Sequence, residues 1–330
     1  MISDIRNIII SRTDSIGDVM LTLPLAKVLK DRFPGVKIAF LGKDYTRPVI
    51  DTCIYIDEFI LLEDFLKGNA TIDGQLPDAI VHVFPVAAVA KKAKELGMRY
   101  RIGTSNRLYH WHTCNKLVRL SRKNSDLHEA QLNLKLLAPF GIETKRSTNE
   151  LAAGFGFTRI QPLKPELLRL LEPGKYHLIL HPKSQGSARE WGLNNFVNLI
   201  NKLNPDQYQI FISGTAKERP LLDELFMRVG NKVTDITGRL DLYQFISFIS
   251  RCDGLIANST GPLHIAAALG IQAVGIYPPI RPMHPGRWAP IGNKATHIVA
   301  KKDCSDCRKS PRNCQCISGI DPAAVVAELR

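Results

Sequence analysis

One stretch constrains the fold of this chain more than any other, residues 254–279, with the sequence GLIANSTGPLHIAAALGIQAVGIYPP. It predicts a short apolar strand over 254–257, a polar turn, a helix over 263–269 and a second apolar strand over 273–276. Gly270 is suited to end the helix. The pattern is that of a strand–helix–strand unit in a parallel sheet.

The turn in this stretch is suited to binding an anion. Ser259 and Thr260 are good N-caps, Gly261 lets a ligand approach the backbone, and Pro262 fits the first turn of a helix. Such a helix start points unpaired N–H groups beyond the strand end, where phosphate is the usual occupant. His264, just inside the first turn, adds a hydrogen bond to the same anion. The alternative is an ordinary capped unit that holds no ligand.

The N-terminal residues follow the same pattern. A strand over 7–11, a polar loop over 12–18, a helix over 19–32 and a strand over 36–41 make a Rossmann-type opening. The loop lacks the G-x-G-x-x-G spacing, and no acidic residue ends the second strand, so a dinucleotide site is not expected here. Prolines and a glycine over 162–174 mark a hinge, after which the pattern restarts. We therefore expect an α/β protein of two doubly wound domains, 1–165 and 166–319, that face one another across a cleft.

Composition narrows the class of protein. The chain has 330 residues, enough for two cores, and seven cysteines. It has no apolar run long enough to span a bilayer and no signal-peptide pattern, so we expect a cytoplasmic protein. An odd number of cysteines without an export signal argues against a disulfide framework.

The charge of the chain implies an anionic partner. The formal net charge is +13, and residues 91–123 carry ten Lys and Arg against Glu95 alone. Such a concentration favours a docking surface over an ordinary solvated face, and the partner classes are nucleic acid, an acidic membrane surface or a phosphorylated substrate. No nucleic-acid recognition motif accompanies the charge, so we expect no nucleic-acid partner.

Three further residues are candidates for chemistry. Asp18 follows Gly17 at the carboxyl end of a strand, where it would accept a proton from a hydroxyl or only complement the helix dipole. Arg189 lies in a loop with Ser187, either as a pyrophosphate clamp or as a surface arginine. Glu218, four residues after Gly214, caps a helix start or holds the two hydroxyls of a ribose.

Four cysteines near the C-terminus have spacings that allow a zinc site. They are Cys304, Cys307, Cys314 and Cys316. Their connecting segment is shorter than in most zinc ribbons and lies in a cationic region, so the default expectation is four reduced thiols in a surface loop. The sequence has no Asp-x-Asp pair, no Walker loop and no G-x-S-x-G elbow.

Several ordered motifs together resemble glycosyltransferase family nine, the ADP-heptose:lipopolysaccharide heptosyltransferases. The resemblance covers almost the whole chain. It is carried by RTDSIGDV over 12–19, RIG over 101–103, GSAREW over 186–191, Ser213-Gly214 with Glu218, and NSTGPLH over 258–264.

The resemblance implies a GT-B fold and an inverting, metal-independent transfer without a cofactor, in which Asp18 is the general base. It assigns the nucleotide-sugar donor to Ser187, Arg189, Gly214, Glu218, Ser259, Thr260, Gly261 and His264. It assigns the acceptor, an anionic lipid-linked saccharide at the inner face of the inner membrane, to Arg12, Thr13, Ser15, Gly17, Arg101 and Arg107. A last helix over 320–330 is expected to pack back on the first domain.

One departure from the family pattern bears on the donor. Heptosyltransferases commonly have Asp before Thr-Gly, where it contacts the donor sugar, and this chain has Ser259. The loss of a carboxylate removes a charge-assisted hydrogen bond to sugar hydroxyls. The donor is then ADP-heptose or another nucleotide sugar. A sugar-nucleotide epimerase and an inactive nucleotide-sugar-binding protein are the remaining alternatives.

Overall fold

The computed structural model describes residues 2–122, 125–281, 283–300 and 315–329. The chain divides into two compact units, Met1–Arg159 and Ile160–Arg330, which we call the N-terminal and C-terminal units. Each contains a six-stranded sheet, and every pairing between neighbouring strands is parallel. The predicted α/β class with two doubly wound halves is confirmed.

The strands of the N-terminal unit form one sheet in the order β3-β2-β1-β4-β5-β6. In chain order they are β1 (Asn7–Ser11), β2 (Lys37–Gly42), β3 (Glu58–Leu61), β4 (Ala79–His82), β5 (Tyr100–Thr104) and β6 (Lys116–Val118). The helices of this unit are α1 (Ile16–Met20), α2 (Pro24–Arg32), α3 (Arg47–Thr52), α4 (Leu62–Lys67), α5 (Ala87–Glu95), α6 (His110–Thr113), α7 (Glu129–Leu134) and α8 (Thr148–Ala152).

The C-terminal unit repeats this arrangement in the order β12-β11-β10-β7-β8-β9. Its strands are β7 (Tyr176–His181), β8 (Tyr208–Ile212), β9 (Val233–Asp235), β10 (Gly254–Asn258), β11 (Gln272–Tyr277) and β12 (Ala295–Val299). Its helices are α9 (Pro165–Leu168), α10 (Leu193–Lys202), α11 (Asp223–Val229), α12 (Leu242–Ile249), α13 (Gly261–Ala268), α14 (Pro285–Trp288), α15 (Gln315–Ser318) and α16 (Pro322–Val326).

In each unit the strand order reverses beside the first strand. β1 lies between β2 and β4, and β7 lies between β8 and β10. Numbered within its own unit, each sheet has the order 3-2-1-4-5-6 of Rossmann folds, whose ligands bind beyond the strand ends at the reversal. The loops after β1, β4, β7 and β10 therefore mark the candidate sites.

Proline changes two helical stretches of the N-terminal unit. The helix expected over 19–32 is divided into α1 and α2, because Pro24 has no N–H to donate to the carbonyl of Met20. After α7 the chain continues as a 3₁₀ segment, Lys135–Phe140, which contains Pro139. The apolar periodicity over 19–32 alone does not show the break at Pro24.

The last helix belongs to the C-terminal unit. α16 packs against α10, and Ile320, Val325 and Leu329 are buried in the same core cluster as Phe196. The expectation that residues 320–330 pack back on the N-terminal domain is therefore wrong. The division of the chain after Arg159 also precedes the expected boundary at residue 165. Among the described residues, no helix is long and apolar enough to cross a membrane.

Candidate active site

The polar loop after β1 brings Asp18 to the reversal point of the N-terminal sheet. Ser15 is the N-cap of α1, and Asp18 lies in the first helical turn. The Ser15 hydroxyl does not cap the helix but donates to Asp18 Oδ2 at 2.5 Å. The Asp18 carboxylate remains partly exposed, so it can meet a ligand beyond the strand end.

The guanidinium of Arg12 lies beneath this carboxylate and is almost fully buried. Its Nε donates to Asp14 Oδ1 at 2.8 Å, and its Nη2 donates to Asp14 Oδ2 and to Asp18. Its Nη1 donates to Glu129 Oε1 at 3.2 Å and to Asn133 Oδ1 at 3.1 Å. An arginine has five N–H groups, and all five are engaged.

The far side of this network is held by α7 and Arg122. Arg122 donates to Glu129 at 2.9 Å, to the Asn133 side chain at 3.0 Å and to the Val83 carbonyl at 3.1 Å. Burial lowers the pKa of Arg12, but the negative charges of Asp18, Asp14 and Glu129 have a larger, opposite effect. The pKa of Arg12 is therefore raised. The pKa of Asp14 is raised as well, because the effect of burial exceeds the opposite effect of the Arg12 charge. The network thus anchors the Asp18 loop to α7.

This geometry bears on two arginines that the resemblance assigned to the acceptor. Arg12 has no N–H left to offer a ligand, so we reassign it to positioning Asp18. Arg101 lies near the amino end of β5 and donates to the carbonyls of Met98 and Thr113, which ties α6 to the strand. The structure therefore contradicts acceptor binding by Arg12, whereas acceptor binding by Arg101 stays a prediction.

The other residues assigned to the acceptor are placed differently. Thr13 is buried, Gly17 is half-buried, and Ser15 and Arg107 are exposed. Ser15 and Gly17 adjoin Asp18 in α1 and its cap, whereas Arg107 lies after β5. The structure brings Ser15 and Asp18 together by a hydrogen bond, and it leaves Arg107 on the surface.

The carboxyl end of β4 holds a buried histidine that sequence reasoning did not identify. His82 is fully buried, and neither of its ring nitrogens has a hydrogen-bond partner among the described residues. Its ring lies 5.7 Å from that of His110, whose Nδ1 contacts the Thr104 carbonyl at 2.9 Å. Burial lowers the pKa of both imidazoles, that of His82 to about 3. Both are therefore neutral at pH 7.

In the C-terminal unit, the loop after β7 is fixed by Glu190. Its Oε1 accepts from the Ser184 N–H at 3.0 Å and from the Ser184 hydroxyl at 3.1 Å, and its Oε2 pairs with Lys183 at 2.5 Å. Gln185 and Gly186 turn with positive φ angles. Ser187 is exposed at this turn, and Arg189 follows as a half-buried residue. The loop is thus a preformed turn, in which the Ser187 hydroxyl donates to the Ser184 carbonyl at 2.7 Å.

The side chain of Asn258 joins both ends of this loop to β10. The Trp191 N–H donates to Asn258 Oδ1 at 2.9 Å, and Asn258 Nδ2 donates to the Pro182 carbonyl at 2.9 Å. Trp191 is fully buried, and its indole N–H donates to the Ile320 carbonyl. Asn258 therefore sets the position of the β7 loop relative to the turn at residues 259–261.

The turn after β10 opens α13 with an unusual cap. Thr260 is the N-cap residue, but its hydroxyl makes no cap hydrogen bond. The side chain is 6% exposed, and its Oγ1 has no partner among the described residues. Gly261 is the first helical residue, and His264 is buried one turn later. A helix N-terminus with a spare hydroxyl is suited to an anion.

A second buried acceptor lies after β8. Glu218 is 3% exposed, and its Oε2 accepts from the Thr215 N–H at 2.8 Å and from the Thr215 hydroxyl at 2.9 Å. Its Oε1 is buried and has no partner in the described part of the chain. Gly214 adjoins the carboxylate, and a Cβ there would lie 3.5 Å from Oε2. Glu218 therefore has one oxygen available for a donor group.

Two neighbours complete this region. His181 at the end of β7 is hydrogen-bonded to Ser213 at 2.9 Å, and burial lowers its pKa to about 4, although Glu218 and Glu190 raise it. Ser259 is half-buried and hydrogen-bonded to the phenol of Tyr277, which donates to the Trp288 carbonyl at 2.5 Å. Ser259 is thus a neutral side chain, hydrogen-bonded to a neutral phenol, at the position where the family pattern has a carboxylate.

The zinc hypothesis lies mostly outside the described residues. Cys304, Cys307 and Cys314 fall in the segment 301–314, and Cys316 packs against the core of the C-terminal unit. Within residues 2–122, 125–281, 283–300 and 315–329, no group of three or more His, Cys, Asp or Glu side chains could hold a metal ion.

Comparison with known proteins decides the family. The model of glycosyltransferase family 9 (heptosyltransferase) matches residues 84–318, which is more than half of the chain. The chain belongs to glycosyltransferase family 9. It is therefore a glycosyltransferase, and its two Rossmann-like units are the two domains of the GT-B fold.

Relatives and solved structures agree with this family. A putative glycosyltransferase of Haemophilus influenzae is 26% identical over 314 residues, which cover 89% of this chain and 88% of that one. Lipooligosaccharide heptosyltransferase 2 of Campylobacter jejuni is 27% identical over 168 residues, which cover 49% of this chain and 52% of that protein. The structure of the E. coli ADP-heptose lps heptosyltransferase II superposes with a TM-score of 0.74 at 19% identity, covering 98% and 97% of the two chains.

Sequence reasoning missed four residues that position the candidate loops of the two units. They are Glu129, Asn133, Glu190 and Asn258. Glu129 and Asn133 are spaced i, i+4, which places two polar side chains on one face of α7, and this spacing was a usable signal. Glu190 and Asn258 lie within the family motifs. Glu190 contacts its own loop, whereas Asn258 contacts residues that are 67 and 76 positions away in sequence.

Replacement of Arg12 by methionine should destabilise the N-terminal unit. The change leaves Asp14, Asp18 and Glu129 close together with one guanidinium fewer, and removal of one partner from a buried ion pair costs about 3–5 kcal/mol. The loss of stability should decrease as the pH falls, because protonation of the three carboxylates removes the repulsion between them. Denaturant unfolding measures it. Arg47→Met is the control, since this exposed arginine pairs with Asp51 at 3.6 Å and should cost less than about 1 kcal/mol. Equal costs would contradict the network.

His82→Leu should flatten the pH dependence of stability. His82 has a folded pKa of about 3 against about 6.5 when unfolded, so between these values the unfolded state binds more protons and folding weakens as the pH falls. Between pH 7 and pH 5, titration of His82 should lower the free energy of unfolding of the wild-type chain by about 2 kcal/mol, and the variant should not show this decrease. Unfolding free energies at both pH values measure it, with exposed His112→Leu as the control. An unchanged slope in His82→Leu would refute the assignment.

Proposed function

We propose that this family 9 enzyme transfers heptose from ADP-heptose to a lipopolysaccharide-core or related lipid-linked acceptor, by an inverting mechanism that needs no metal ion. The C-terminal unit holds the nucleotide-sugar donor, and the N-terminal unit supplies the base. The reaction takes place at the cytoplasmic face of the inner membrane. The family description, and the heptosyltransferase names of the relatives, support the sugar and the acceptor.

The observation that carries the donor assignment is a pair of buried oxygens that the protein leaves unpaired. Glu218 Oε1 and Thr260 Oγ1 are both buried, and neither has a partner among the described residues. A buried acceptor without a hydrogen bond is costly, and a buried carboxylate oxygen more so. A ribose supplies two hydroxyl donors for Glu218, and a phosphate accepts from the Thr260 hydroxyl. A bound nucleoside diphosphate would satisfy both.

The leaving group is stabilised by fixed donors from two loops. As the anomeric carbon–oxygen bond breaks, its electron pair passes to the nucleoside diphosphate. The N–H groups at the start of α13 and the Arg189 guanidinium then stabilise the growing negative charge, and the Ser187 hydroxyl joins them once it releases the Ser184 carbonyl. His264 adjoins them within the first turn of α13. These groups do the work that a divalent cation does in other transferases, which supports metal independence.

The acceptor is activated by Asp18. The carboxylate takes the proton of an acceptor hydroxyl while the hydroxyl oxygen bonds to the anomeric carbon on the face opposite to the leaving group, which inverts the configuration. Arg12 and Ser15 hold the two carboxylate oxygens in place. Placement matters here, because an aspartate is a weak base and works through geometry.

A different nucleotide sugar is the second candidate donor, and Ser259 favours it. This side chain is bonded to the Tyr277 phenol and carries no charge. It therefore offers the donor sugar a neutral hydrogen bond where a carboxylate would give a charge-assisted one. The Glu218 and Thr260 contacts are common to any nucleoside diphosphate, so both candidates use the same nucleotide site.

Calorimetric titration with ADP, UDP, GDP and their sugar conjugates, without added metal, should show selective binding of ADP and ADP-heptose. Glu218→Gln should weaken ADP about 10- to 100-fold, since it removes a charge-assisted hydrogen bond to the ribose. 2′,3′-Dideoxy-ADP, which lacks both ribose hydroxyls, should bind wild type and Glu218→Gln almost equally. The exposed Glu224→Gln on α11 is the control. Selective binding of another nucleotide would change the donor and keep the site. Binding of none would refute the transfer.

Asp18→Asn should abolish transfer and leave nucleotide binding intact. Loss of a general base typically lowers kcat by 10²–10⁴-fold. The nucleotide affinity should not change, because the donor residues all belong to the C-terminal unit. Single-turnover rates and calorimetry on the same preparations measure both quantities. Asp31→Asn, an exposed carboxylate of α2 paired with Lys27, is the control. Near-normal transfer by Asp18→Asn would remove the base assignment.

A further inference from the structure

The segment 105–113, which we call the basic knuckle, joins β5 to β6 and contains α6. It exposes two large apolar side chains, Leu108 at 86% and Trp111 at 60%. Leu108 is the most exposed large apolar side chain among the residues that the structure describes. Isolated exposed apolar residues are common, but two of this size on one short segment are a candidate for an interaction surface.

The knuckle is held in shape by its own hydrogen bonds. The Trp111 indole N–H donates to the Ser105 carbonyl at 2.9 Å, and the Asn106 amide donates to the Leu120 carbonyl at 3.0 Å. His110 is buried beneath it, and a Cβ on Gly103 would lie 2.7 Å from His110 Nδ1. Because the backbone is fixed in this way, Leu108 and Trp111 are presented outward by a defined local structure.

Three cations belong to the knuckle or to the elements next to it. Arg107 precedes Leu108, Lys94 donates to the His112 carbonyl at 2.8 Å, and Arg119 directly follows β6, whose Val118 pairs with Thr104 at the base of the knuckle. The one acidic residue between positions 86 and 122 is Glu95. It is already paired with Lys91 and Lys92, at 3.7 and 3.2 Å. The surroundings of the knuckle therefore keep a net positive charge.

This combination matches the chemistry of an anionic bilayer. Lysine and arginine pair with lipid phosphates, tryptophan favours the headgroup region, and leucine gains free energy by entering the acyl boundary. A nucleic acid would use the cations and could stack on Trp111, but it offers no apolar environment for Leu108. The exposed leucine decides between the two partners.

We propose that the basic knuckle docks the enzyme on an anionic lipid bilayer. Leu108 and Trp111 enter the headgroup–acyl boundary, and Lys94, Arg107 and Arg119 contact lipid phosphates. The inference deepens the proposed function and rests on it for the identity of the acceptor. The knuckle belongs to the N-terminal unit, which also carries Asp18, so docking brings the base to the surface where a lipid-linked acceptor is confined.

The direct test is co-sedimentation of the full chain with vesicles of phosphatidylcholine, with or without phosphatidylglycerol. Binding should require phosphatidylglycerol and weaken as salt is raised, because the cations are exposed. Leu108→Ser should lower the partition coefficient at least about tenfold, since it removes a buried apolar side chain from the complex. Arg119→Gln should lower it about fivefold. Met227→Ser, at a side chain that is 78% exposed on α11, is the matched control and should change nothing.

A spectroscopic readout tests the same geometry without a change in affinity. Of the three tryptophans, Trp191 is fully buried and Trp288 is half-buried, whereas Trp111 is 60% exposed, so Trp111 is the one expected to report contact with lipid. Vesicles with brominated acyl chains should quench the fluorescence of the wild-type chain, and Trp111→Phe should remove that quenching.

Three results would overturn the inference. They are equal binding to neutral and anionic vesicles, vesicle binding that Leu108→Ser does not change, and displacement of the vesicles by an oligonucleotide that Leu108→Ser still binds. The last would identify nucleic acid as the partner. These assays contain neither donor nor acceptor. A chain that docks but binds no nucleotide would refute the proposed function alone, and a chain that binds ADP without docking would refute the inference alone.

Discussion

Both units depend on the reversal of strand order beside their first strand. At that point the connections of neighbouring strands leave on opposite faces of the sheet, so the ends of β1 and β4, and of β7 and β10, are left open to a ligand. The polar loops that carry Asp18, Arg189 and Thr260 all follow these strands. A parallel sheet buried on both faces cannot place such polar groups elsewhere without burying them unpaired.

The sheets could be predicted from the sequence because buried parallel strands read as continuous apolar runs. β1 has the expected bounds, and β10 extends one residue beyond its expected end. The site loops also carried local signals, including the glycines and the N-cap residues. The environment of Arg12 could not be predicted, since Glu129 and Asn133 are 117 and 121 residues away in sequence. The last helix was misplaced for a related reason, because an apolar helix face does not specify which core it covers.

Arg12 and Glu218 are both buried charged residues, but their hydrogen-bond partners give them different roles. Arg12 is buried with every N–H group engaged, so its charge is neutralised within the protein and it acts on Asp18 alone. Glu218 is equally buried, but one of its oxygens has no partner within the described part of the chain. A count of the hydrogen-bond partners of each charged side chain therefore distinguishes a structural residue from a ligand-binding one, which the sequence motifs do not do. By the same count Arg101, whose guanidinium donates to two backbone carbonyls among the described residues, keeps N–H groups for a ligand and stays a candidate.

Under the proposed function, the nucleotide and sugar parts of the donor are recognised with unequal strength. The nucleotide meets a buried carboxylate and a helix N-terminus, whose hydrogen bonds to ligand are charge-assisted or aligned with a dipole. At Ser259 the sugar meets a hydroxyl that is already bonded to the Tyr277 phenol. A neutral hydrogen bond is roughly half as strong as a charge-assisted one, so exchange of one sugar for another costs little at this contact. Glu218 and Thr260 therefore recognise the ribose and the phosphate that all nucleoside diphosphates share, and selection among bases and among sugars must come from other groups.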